Sequence, residues 1–109
     1  MLSRVGKELI IDPILPAGLQ PVTYSDVPFS HFYDRILRER QAIEQGKVSS
    51  LQTTLEACTA ANLHWMLVQL GLAQQYSLGK LQDKRAREQA IADALQNISV
   101  LQRVFATLH

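Results

Sequence analysis

The sequence predicts an all-α protein: a three-helix hairpin or bundle preceded by an extended, proline-containing N-terminal arm. Two observations carry this prediction. From Asp26 onward apolar residues recur three, four and seven apart, the period of a helix buried on one face. Before that point Pro13, Pro16 and Pro21 crowd a short apolar stretch, ELIIDPILP and then AGLQPV, where no helix can run. The division predicts an arm over residues 1–27 and a helical domain over 28–109, with helices at about 27–45, 50–76 and 80–108.

Each proline pushes the residue before it toward extended backbone, so Asp12, Leu15 and Gln20 are expected in extended or turn conformations. At most a short strand fits at Glu8 to Ile11. The first helix is expected to start near Asp26, with Ser25 or Asp26 as its cap and Pro28 in its first turn. Phe29, Phe32 or Tyr33, Ile36, Leu37 and Ile43 form its apolar stripe. Arg35, Arg38, Glu39 and Glu44 are expected outside. Phe32 and Tyr33 point about 100° apart, so only one is expected at the centre of the inner face. Gly46 supplies a stop.

Ser49 or Ser50 is expected to cap the second helix, whose first half is striped at Leu51, Leu55 and Cys58. Its second half, within LHWMLVQLGLA at 63–73, is apolar nearly all round, which requires cover on every side. A break near Gly79 is expected to begin the third helix. Its seam is Ala94, Ile98, Leu101, Phe105 and Leu108, and Ala86, Ala90 and Ala94 allow a neighbour to approach closely.

Composition limits the function. The 109 residues fit one domain, 47% of them apolar, and the single Cys58 can make no intramolecular disulfide. A net charge of +1 provides no strong field for nucleic acid or anionic membranes. The most apolar stretch, 63–73, has eleven residues including His64 and Gln69, where a bilayer span needs about twenty. With no secretory signal evident, the expectation is a cytoplasmic protein.

Chemistry is sparse. His31, His64 and His109 share no ligand spacing, and His64 is expected to be a core histidine with one hydrogen bond. Cys58 lies on an apolar stripe, as an inert buried thiol would. No Gly-rich phosphate loop, nucleophile elbow or H-E-x-x-H occurs. No catalytic, cofactor-binding or metal-binding residue is therefore assigned, and no enzyme is expected. KLQDKRAREQ at 80–89 carries four basic and two acidic residues, a net +2, without aromatics. It fits a solvated helix start with a Lys84–Glu88 pair, and the alternative is a nucleic-acid-associated protein using this segment.

The expected function is protein–protein contact: an adaptor or assembly subunit that self-associates or binds another helical protein. The expected interface is Trp65, Met66, Leu67, Leu70, Ile98 and Phe105. The arm, about twenty-five residues, could span about 80 Å if extended. Ile11, Ile14 and Leu15 are its docking residues, received by a groove of this chain or of another. In architecture alone, a free front followed by helices with coiled-coil-like seams resembles the small rod, adaptor and chaperone proteins of bacterial flagellar and type III export systems. That resemblance implies a component of such an assembly.

Overall fold

The structure is a computed structural model describing residues 8–10, 15–25 and 27–107. Among them six α-helices dominate, and the all-α expectation holds. The arm contributes a two-stranded antiparallel pair, β1 (Glu8–Ile10) and β2 (Thr23–Ser25), with Leu9 opposite Tyr24. β1 falls where a strand was expected. β2 was not anticipated.

Each long helix expected from periodicity is interrupted. The first becomes α1 (Ser30–Arg38) and α2 (Arg40–Glu44). Ser25 does not start it: Ser25 ends β2, and α1 begins after Phe29 with no side-chain cap, while Asp26 lies outside the described residues. The joint at Glu39 turns that residue inward. Glu39 is buried, contrary to its expected outer position, and its Oε1 accepts a 2.7 Å hydrogen bond from the Thr54 hydroxyl. Gly46 ends α2 as expected. The side-chain amide of Gln102 also donates to the Ile43 carbonyl there, at 3.0 Å.

The second helix divides into α3 (Ser49–Ala57) and α4 (Ala60–Gln69). Ser49 and Ser50 lie inside the first turn of α3 rather than capping it. Thr59 is extended, at φ −71° and ψ 164°, and its hydroxyl accepts from the Asn62 N–H at 3.1 Å, a side-chain N-cap for α4. The freed carbonyls at the end of α3 are collected by one guanidinium. Arg87 reaches across to Leu55 at 3.3 Å, Glu56 at 3.4 Å and Cys58. α4 then stops at Gly71, not near Gly79. At φ +76° Gly71 directs its N–H to Val68 and that of Leu72 to Leu67, the paired closure favoured by a left-handed glycine.

The third helix divides into α5 (Lys84–Gln96) and α6 (Ser99–Ala106), preceded by a 3₁₀ turn at Lys80–Gln82. Asp83 caps α5 through the Ala86 N–H at 3.0 Å. Asn97 ends it, sending its backbone N–H and its side-chain amide to the Asp93 carbonyl. Of the expected seam, Ala94, Leu101 and Phe105 are buried and Ile98 is half-buried, while Leu108 lies outside the described residues. Ala90 and Ala94 are buried on α5, which packs against α3 and α4.

α4 is the centre of the core. Trp65, Met66 and Leu67 are each 0% exposed. The rings of Phe29, Phe32 and Tyr33 all turn edge-on to the Trp65 indole, at 5.0, 6.1 and 6.2 Å between centroids. Phe32 and Tyr33 are therefore both buried, where room for only one was expected. A large indole between them lets side chains about 100° apart share one core. Each such ring pair adds about 0.5–1.5 kcal/mol beyond area burial.

Candidate protein-binding site

The arm crosses α4 and is bonded to it. Its path begins with a turn over Pro16 to Leu19, closed by the Leu19 N–H on the Pro16 carbonyl at 3.2 Å. Gly18 takes φ +94° at the third position, and a Cβ there would stand 3.2 Å from Val104 Cγ2 of α6. Only glycine suits both the turn and the close approach. The turn delivers Leu19 into the core, with Leu15 and Val22 packed half-buried beside it.

Two polar contacts fix the register. Gln69, the last residue of α4, holds the backbone of Gln20 from both sides. Its Oε1 accepts the Gln20 N–H at 2.5 Å and its Nε2 donates to the Gln20 carbonyl at 2.8 Å. A side-chain amide thus stands in for the neighbouring strand of a sheet. Five residues earlier on α4, His64 Nδ1 shares a hydrogen with the Tyr24 hydroxyl at 2.7 Å, their rings edge to face. Burial pushes the Tyr24 phenol well above its ordinary range and the His64 imidazole below its own. The pair is neutral at neutral pH. Beyond β2, the Asn62 amide donates to the Pro28 carbonyl at 3.4 Å, fixing the start of the helical body on α4.

The residues expected to form an interface lie within the core of this chain. Trp65, Met66, Leu67 and Phe105 have no exposed surface, Leu70 is buried and Ile98 half-buried, all within one chain. Their cover is intramolecular: Phe29, the aromatic rings of α1, the 3₁₀ turn, α5 and the arm. Among the described residues Leu78 alone is an exposed large apolar side chain. Leu15 lies against the core, while Ile11 and Ile14 fall outside the described residues.

Sequence reasoning missed Gln20, Tyr24 and Gln69. The visible signal was Gln69, a polar side chain inside an apolar run, which required a partner. His64 was expected to make one hydrogen bond in the core; it makes one, half-buried.

Other candidates are weaker. A cleft of about 520 Å³ between α3 and α5 is lined by Ile91, Ala92 and Leu95 together with Glu56, Lys84 and Glu88. Its Arg87 is engaged by the α3 carbonyls. That engagement also takes Arg87 from the basic segment, and Lys80 stands 5.7 Å over the Tyr76 ring. The Cys58 thiol donates to the Leu55 carbonyl, and burial pushes its pKa up to about 11, so it stays protonated at neutral pH. Among the described residues no three His, Cys, Asp or Glu side chains gather to hold a metal, and no helix is long and apolar enough to cross a membrane. Compared with known proteins, the chain matches no family model, no curated relative and no solved structure.

Proposed function

We propose that this chain is a small non-catalytic protein–protein interaction module, and that its binding site is the face of α4 on which its own arm lies. The observation that carries the reading is the two-sided hold of Gln69 on the Gln20 backbone. Such a hold recognises an extended peptide by its main chain, while the hole for Leu19 and the His64 contact for Tyr24 add side-chain selectivity. The arm then acts as a tethered ligand that keeps an apolar site covered until a competitor arrives.

A peptide spanning residues 15–25, titrated into the full-length chain carrying Leu19→Asp, tests this. The substitution puts a charge into the arm's anchor hole and frees the site. The peptide is expected to bind that variant saturably, and to bind the unsubstituted chain on the order of tenfold more weakly because the tethered arm competes. Absence of binding to a variant whose Trp65 fluorescence reports a folded core would refute the reading.

A further inference from the structure

We infer that the seat of the arm on α4 is a latch worked by pH: in mild acid His64 takes up a proton, residues 19–24 loosen from α4, and the peptide site opens. This rests on the proposed peptide-binding role of that face and concerns its regulation. Three observations carry it. The first is that the contact is built from neutral groups. The seated segment, residues 15–25, has no acidic or basic side chain. From Ala57 to Gly79 His64 is the one basic side chain and no acidic one occurs. The Asp93 carboxylate raises the Tyr76 phenol and burial raises the Cys58 thiol, so both stay neutral as well.

The second observation is the geometry at His64. Its ring is half-buried, Nδ1 stands 2.7 Å from the Tyr24 hydroxyl, and the two rings meet edge to face at 5.8 Å. A neutral Nδ1 can accept the phenol hydrogen. An imidazolium can only donate, so that arrangement is lost and a cation is left against the arm. The third is the lack of a free counter-charge among the described residues. On α5 and the 3₁₀ turn, which pack against α4, Arg87 is committed to the α3 carbonyls, Asp93 to the Tyr76 hydroxyl and the Gln89 amide, and Lys80 to the Tyr76 ring. Lys84, Arg85 and Glu88 of α5 are exposed. On α1, Arg35 pairs with Glu39, while His31, Asp34 and Arg38 are exposed. Burial lowers the His64 proton affinity, and releasing the arm uncovers the ring, so proton uptake and arm release favour each other. The seat is therefore complete above about pH 6.5, the ordinary histidine value, and is lost as pH falls below it.

The residue 15–25 peptide, with capped ends, titrated into the full-length Leu19→Asp chain at pH 7.5 and again at pH 5.5, tests the latch. Binding is expected to be weaker at pH 5.5 by about threefold or more. Equal binding at both values overturns the latch and leaves the site standing; no binding at either overturns the site itself. Adding His64→Gln to that chain is expected to abolish the difference, and a difference that persists overturns the assignment to His64. Glu8→Gln and Asp26→Asn, at the acidic residues flanking the segment in sequence, are expected to preserve it; its loss in either places the switch on that carboxylate and overturns the inference. The unsubstituted protein gives a second reading. Protection of the Gln20 N–H, relative to the free peptide at the same pH, is expected to fall by a similar factor while Trp65 fluorescence stays constant. Protection unchanged between the two pH values overturns the latch.

Discussion

At the scale of single residues, the arm is held by groups whose partners lie far away in sequence. Gln69 satisfies both backbone groups of Gln20 and is itself buried, so removing its amide leaves partly buried groups unpaired. Gln69→Ala is expected to lower unfolding stability by about 1–3 kcal/mol, measured by denaturant titration. His64 adds a pH dependence. Burial lowers its proton affinity in the folded chain, while the unfolded chain keeps an ordinary value of about 6.5. As pH falls below that value the unfolded state takes up the proton first, so this contribution to stability is complete above about 6.5 and is lost on acidification. The melting temperature should therefore fall between pH 7.5 and 5.5, and fall less in His64→Phe. The sequence made His64 legible because a lone histidine in an apolar run needs one partner. It could not name Tyr24, because no periodicity encodes a contact 40 residues away.

At the scale of elements, the helices are short because their ends are built deliberately. Thr59 and Asp83 cap the starts of α4 and α5, Gly71 closes α4, and Arg87 gathers the last carbonyls of α3. Thr59→Ala is expected to cost about 1 kcal/mol in thermal or chemical unfolding. Thr53→Ala, exposed within α3, should stay within about 0.5 kcal/mol of the parent. Gly71→Ala meets no atom within 4 Å yet forces a side chain into the left-handed region, at a cost of about 1–2 kcal/mol. Both the cap and the closing glycine were present in the sequence. They were hidden by apolar spacing that continues through the joints: Leu51, Leu55 and Cys58 lead into Leu63 and Leu67 as though one helix carried them. The spacing reports which residues are buried and is silent on whether the backbone bends between them. The guanidinium that makes the bend at Cys58 affordable comes from a third element, 29 residues on.

At the scale of the whole molecule, the apolar α4 is covered by its own chain. A radius of gyration of 13.5 Å, close to the roughly 13 Å typical of a folded domain of this length, describes helices folded back on one another. The all-helical class was legible, since it follows from where the apolar periods fall. The destination of the arm was not, because it depends on Gln69 and His64 meeting particular backbone and side-chain atoms. Trp65, Met66 and Leu67, expected at a shared surface, have no exposed surface within the chain. Their cover comes from Phe29, from Phe32 and Tyr33 of α1, and from the arm. Leu67→Asp would place a charge at a position with no exposed surface and is expected to abolish cooperative unfolding, a loss of more than about 4 kcal/mol. The central claim, that the arm is seated on α4, is tested most directly by hydrogen exchange at one amide, the Gln20 N–H. Seated against Gln69 Oε1, it should exchange on the order of a hundredfold more slowly than in an unstructured peptide. Exchange at the unstructured rate in the otherwise folded protein would mean that the arm is not held there.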